Sequence, residues 1–282
     1  MSLAERAILV RVKECMNGVF KYDAKAKVDF AQQSNADVSA YSITKRMWPK
    51  PVIDELRGYI SSARHIHRTM TLPWNDVGYR LLPNEKFFDF VNEINEVKNG
   101  FIAARNRFKA NFDLYKLEGL MKMGKYADSS IYPKDKDDID ELFQLEVMVR
   151  PCPNTNDIRV DLPEEVLKEM REQAEADIMR DTKDAVKEVW LRFHKACSHM
   201  HKQLDAGDPK YFRSSLLENV EELLKIIPSY NLTDDPELEA KRQEAEAIIS
   251  NIKDIGDVKT NEQLRKDTVD KLSDMLDKFP AL

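Results

Sequence analysis

Few glycines, prolines or cysteines punctuate this sequence. Eight glycines and twelve prolines in 282 residues exclude a collagen-like repeat and argue against long disordered tracts. Cys15, Cys152 and Cys197 are odd in number and widely spaced. They make no disulfide framework, and a reducing compartment is expected. No apolar run approaches a membrane span, so no membrane association is expected. The opening residues MSLAERAILVRVKECMNG carry only a short apolar patch interrupted by Arg11 and Lys13, unlike a signal-peptide core. Catalytic signatures are also missing: there is no G-x-S-x-G, no phosphate-binding G-x-x-x-x-G-K and no G-x-G-x-x-G. No period of the length that builds solenoids occurs. These absences describe a soluble, cytoplasmic, non-enzymatic protein without a cofactor, one that works by binding a partner.

What is present is charge, unevenly placed. The net charge of −6 conceals a division: residues 1–130 carry about +6 and residues 131–282 about −12. An anionic ligand is drawn to the first part and repelled by the second. The corresponding expectation is a basic, aromatic-containing α+β region over 1–162 and an acidic helical region over 163–282.

The periodicities predict a mainly α fold with a small antiparallel β-sheet, long helices and a C-terminal helical bundle, not an OB-fold. Residues 7–13 alternate as a strand. Residues 20–51 lack a sustained period and read as a loop or arm with room for a short strand or helical turn. A helix is predicted over 52–70, opened by Pro51. TLPWNDVGYRLLP breaks the pattern as a loop. One long helix should start at Asn84 as its N-cap, carry a stripe of Phe87, Phe101, Phe108, Phe112 and Tyr115, and end at Gly119 or Gly124. A short helix over 137–143 precedes two strands, 145–151 and 156–162. These are joined by a turn at 152–155 and expected to form a three-stranded sheet with 7–13. Helices follow over 163–205, with Arg180–Asp184 a place to kink, then 210–227, 235–253 and 260–279. Pro228 is read as a boundary.

Two clusters invite chemistry. His194, Cys197 and His201 share a helix face, but zinc needs four ligands, normally from two elements, and no second pair is in view. Cys197 also falls on the apolar stripe, where a free cysteine behaves as a small hydrophobe. The run Asp135, Asp137, Asp138, Asp140 and Glu141 lacks the central glycine of a calcium loop and reads as a helix start. No metal is expected at either.

The remaining signal is basic residues interleaved with aromatic ones. Lys45, Arg46, Trp48 and Lys50 cluster; Arg64 and Arg68 close the first long helix; Trp74 and Arg80 occupy the loop behind it. Arg105, Lys109 and Lys116 share a face of the next helix. A groove for a single nucleic-acid strand needs cations for phosphates and rings for bases. Trp48, Trp74, Tyr41 and Tyr79, in segments that read as loops, are the stacking candidates. The phenylalanines of the stripe are read as core.

Two blocks also resemble known proteins: ITKRMWPKPVIDELRGYISSARHIHRTMTLPWNDVGYRLLPNEKFFDFVNEINEVKNGF and IYPKDKDDIDELFQLEVMVRPCPNTNDIRVDLPEEVLKEM. Their order is a basic turn, a helix, a glycine-containing loop before a helix, then Tyr-Pro, a short helix and a hairpin. It is similar to a phage and plasmid family encoded beside MoxR-type ATPases, and to the Drc proteins of the schitoviruses. The resemblance covers roughly residues 40–170. It implies a non-OB single-stranded-DNA-binding protein, a cofactor of a phage RNA polymerase in an infected bacterial cytoplasm. It transfers no binding residue. A homo-oligomer is also expected. The closing LSDMLDKFPAL is not the long acidic tail of general single-strand binders, so recruitment through such a tail is not expected. The rival expectations are a helical scaffold or adaptor for an ATPase or other phage protein, and an enzyme with a metal near His194.

Overall fold

A computed structural model describes residues 3–74, 78–154, 163–208, 210 and 212–280. In chain order the elements begin α1 (Leu3–Arg6), β1 (Ala7–Met16), β2 (Phe20–Tyr22), α2 (Ala24–Gln33), β3 (Thr44–Arg46) and α3 (Lys50–Thr69). Next come β4 (Leu72–Pro73), β5 (Arg80–Pro83), α4 (Phe87–Ala110), α5 (Phe112–Met123), α6 (Ile139–Leu142) and β6 (Phe143–Pro151). The chain closes with α7 (Glu164–Asp205), α8 (Ser214–Tyr230), α9 (Pro236–Ile249), α10 (Ile255–Thr260) and α11 (Glu262–Leu276). The fold is mainly helical with a small antiparallel sheet, as the periodicities require.

The sheet has the order β4-β5-β1-β6, and β2 and β3 form a separate two-stranded ribbon. Its membership corrects the expected three-stranded sheet. Residues 7–13 and 145–151 do lie in it, but β4 and β5 come from the segment read as a loop. Leu81 of β5 stands opposite Leu9 on one side and Leu72 on the other. All three are buried, so the energy of that segment lies in apolar pairing that its prolines and Gly78 disguise. The expected strand 156–162 lies outside the described residues.

The chain divides into two units whose segments interleave: Met1–Val10, Thr71–Phe87 and Val149–Leu282 in one, Arg11–Met70 and Phe88–Met148 in the other. This differs from a boundary at 162. The physical reason is β-pairing between distant segments, reinforced in the first unit by Arg6, whose guanidinium reaches Asp234 and the carbonyls of Asn231 and Leu232.

In the first unit α7 packs against α8 and α11, and α9 against both of these, forming the C-terminal helical bundle. Val189, Phe193, Cys197, Met200 and Leu204 of α7 are buried at helical spacing. The helix runs unbroken through Arg180–Asp184. Arg180 pairs with Asp177 on the outer face, and Thr182 turns inward and donates its hydroxyl to the Ile178 carbonyl at 2.7 Å. Pro228 lies inside α8 rather than at its boundary; it has no N–H for the Leu224 carbonyl, and the helix ends two residues later at Tyr230. Asn84 does not cap α4. It sits in a short 3-10 turn and donates to the Glu5 carbonyl at 2.8 Å.

In the second unit the expected single helix is two, α4 and α5, parted at Asn111, whose side chain bonds the Arg107 carbonyl. Gly124, at φ +54°, ends α5. Gly119 instead lies buried inside it, where an added Cβ would stand 2.2 Å from the Met47 carbonyl oxygen. Trp48, Phe90, Phe101, Phe108 and Phe143 are the large side chains of this core.

Candidate nucleic-acid interface

The ribbon forms where sequence periodicity is silent. Gly18, at φ +71°, turns the chain into Phe-Lys-Tyr, a triplet of strand-favouring aromatics around a lysine. Phe20, Lys21 and Tyr22 face Arg46, Lys45 and Thr44 in antiparallel register. Bonds from Met47 to Val19 at 3.0 Å and from Asp23 to Ile43 at 2.9 Å extend the pairing at both ends. Because side chains alternate, Phe20, Tyr22, Arg46 and Thr44 share one face, and Lys21 and Lys45 share the other.

The two faces differ in what they offer. On the first, Phe20 is 42% and Tyr22 55% exposed. The Arg46 and Arg57 guanidinium carbons lie 5.4 and 5.8 Å from the Phe20 ring centre, and the Lys27 ammonium lies 6.0 Å from that of Tyr22. Lys50, one turn before Asp54 on α3, is hydrogen-bonded to its carboxylate. The Asp54 carboxyl is held below its ordinary value by that bond first, then by the charges of Lys50, Arg57 and Arg46. One carboxylate thus sits among three cations, leaving an excess of positive charge beside an exposed ring. Phe20, Tyr22, Lys27 and Arg57 were absent from the candidates drawn from the sequence.

The second face is anchored. Lys45 lies 3.3 Å from the Asp23 carboxylate and donates to the Tyr126 carbonyl at 3.0 Å. Burial pushes the Asp23 carboxyl up, but bonds from the Ala26 N–H and Lys45 leave it below its ordinary value. Behind the ribbon, Trp48 is 2% exposed. Its indole N–H donates to the Gly18 carbonyl at 2.9 Å, and its ring meets those of Tyr132 and Phe108 edge-on. Trp48 is therefore a core residue, which corrects its reading as an exposed stacking ring. Tyr79 is buried as well. Tyr41 is half-exposed, its ring edge-on to Phe30.

The other sequence candidates scatter. Arg105 pairs with Asp140 and donates to the Phe143 carbonyl at 3.0 Å; Lys109 bridges Asp137 and Asp140 at 2.7 and 2.6 Å. The bond to Asp137, then that to Asp140, raises the Lys109 ammonium above its ordinary value. Both cations hold α4 to the start of α6. The acidic run is thus a helix start, as expected, with Asp135 and Asp138 forming a capping box. Lys116 is half-exposed over the rings of Tyr132 and Phe112. Arg64 is exposed and paired with Glu14; Arg68 is exposed at the end of α3. Trp74 and Arg80 belong to the other unit, where Trp74 is half-exposed and Arg80 donates to the Thr71 hydroxyl at 2.7 Å. Of the sequence candidates, Arg46 and Lys50 stand with the exposed rings.

Cys152 and Cys197 are buried, and burial pushes both thiols up to about 12. Among the described residues no group of three or more histidine, cysteine or acidic side chains is placed to hold a metal, and no helix is long and apolar enough to cross a membrane. No family model, curated protein or solved structure matches the chain.

Proposed function

We propose that this chain is a non-enzymatic single-stranded-DNA-binding protein that assists a phage RNA polymerase in the bacterial cytoplasm. The strand lies on the ribbon formed by β2 and β3 and on the adjoining start of α3. The observation that carries the reading is Phe20 and Tyr22 exposed on one strand face beside Arg46, Arg57 and Lys50. Rings supply the surface for bases and cations the attraction for phosphates. A duplex hides its base faces and gains only the charge contribution. The resemblance of the blocks within 40–170 to the Drc proteins supports the polymerase role.

The direct test is a gel-shift comparison of one oligonucleotide, single-stranded and annealed, at low salt. Single strands should shift at a protein concentration about tenfold lower or less than the duplex requires. Equal affinity, or no shift, contradicts the reading.

A scaffold reading draws on one observation. Residues 164–181 of α7 contain no buried position, and Val166, Met170 and Met179 are exposed along them. A protein partner on that stretch is compatible with strand binding at the ribbon.

A further inference from the structure

We infer that the ribbon selects single strands whose bases are already unstacked, and therefore prefers oligothymidylate to oligoadenylate. This rests on the proposed strand-binding role and concerns what that same surface accepts.

Phe20 and Tyr22 are two residues apart on one strand and point to the same side. Their Cα atoms are thus about 7 Å apart along the ribbon. Bases stacked within a nucleic-acid strand repeat at about 3.4 Å. Two arrangements fit ring-bearing residues set apart by twice that value. Either each ring carries its own base, or one base slips between the two rings. In both, a base that touches this surface has given up its stacking neighbour across the step.

The cations match such an opened step. Arg46 and Arg57 attend Phe20, and Lys27 attends Tyr22. Each ring therefore has a positive group over it, which moves off the ring face to meet the phosphate when a base stacks there. The ribbon is also stiff where it would otherwise yield. Asp23 and Lys45 tie its reverse face, and Met47 and Trp48 are buried at its base. A ribbon so held keeps the two residues at twice the stacked spacing, so the nucleic acid opens to meet both rings. Adenine runs stack strongly in single strands and thymine runs hardly at all, so the cost of opening falls on adenine.

The test uses the full chain and labelled twelve-residue oligonucleotides of thymidine and of deoxyadenosine, titrated by fluorescence anisotropy at one salt concentration. Oligothymidylate should bind about threefold to tenfold more tightly, the range set by the loss of a stacked step. The Phe20→Leu/Tyr22→Leu variant should bind both more weakly and with the preference removed. The Lys50→Ala/Arg57→Ala variant should weaken both equally and keep the preference. Both pairs are exposed, and circular dichroism confirms that the variants fold. Equal binding of the two oligonucleotides by the wild type overturns the selection and leaves strand binding standing. Failure to bind either overturns both.

Discussion

Replacing Trp48 by alanine removes an indole that is 2% exposed, edge-on to Tyr132 and Phe108, and bonded to the Gly18 carbonyl. The expected loss is about 3–5 kcal/mol of stability, read as a lower urea midpoint, because the surrounding rings cannot collapse into the space. A variant as stable as the wild type contradicts the packing. The same residue shows what its neighbours conceal. Flanked by Lys45, Arg46, Pro49 and Lys50, Trp48 reads locally as part of a polar loop. Its true surroundings come from α4, α5 and the segment around Tyr132, contacts that no local pattern encodes. Arg105 and Lys109 fail as candidates for the related reason that helical spacing gives their common face but not the carboxylates waiting there. Cys197 was legible because its place on an apolar stripe is itself a helical-period signal.

At the scale of elements, the ribbon depends on an ion pair with a definite pH signature. The Asp23 carboxyl lies below its ordinary value of 3.8 in the folded protein. A group so depressed contributes stability that is fully present above its unfolded value and lost as pH falls through the folded one. Asp23→Asn keeps a competent N-cap for α2 while removing the charge facing Lys45. It should cost about 1–3 kcal/mol at pH 7, and the gap between variant and wild type should narrow in acid, as pH falls below 3.8 and through the depressed folded value. Chemical denaturation at pH 7 and in acid measures it; a gap unchanged in acid contradicts the pairing. Long elements were readable because they repeat. α3 lies within two residues of its predicted ends, and α7 spans its predicted length. The ribbon was not readable, since β2 and β3 have three residues each and α2 intervenes between them. The break at Asn111 was hidden for the opposite reason: the apolar stripe continues across it from Phe108 to Phe112.

For the whole molecule, the charge division along the chain survives only in part as a guide. The basic excess of residues 1–130 includes the cations around the ribbon. Yet some of its cations, Lys45, Arg105 and Lys109 among them, are spent inside the structure on Asp23, Asp137 and Asp140. Among the cations that stay exposed are those around Phe20 and Tyr22, the group proposed to meet an anionic partner. The interleaving of the two units was beyond sequence reading, because it follows from pairings such as Leu9 with Leu81 that join segments far apart in the chain.

The decisive measurement is the salt dependence of binding to a labelled, mixed-sequence single strand. It compares wild type with Arg46→Ala/Lys50→Ala/Arg57→Ala and with Phe20→Ala/Tyr22→Ala. For the wild type, the logarithm of affinity should fall linearly with the logarithm of salt concentration. The charge variant should bind more weakly and flatten that slope by about 0.7 for each phosphate it no longer neutralises. The ring variant should lose ~1–3 kcal/mol per stacked base at every salt concentration and keep the wild-type slope. A wild type that binds no single strand at low salt, or variants that both match it, would contradict the assignment of this ribbon as a strand-binding surface.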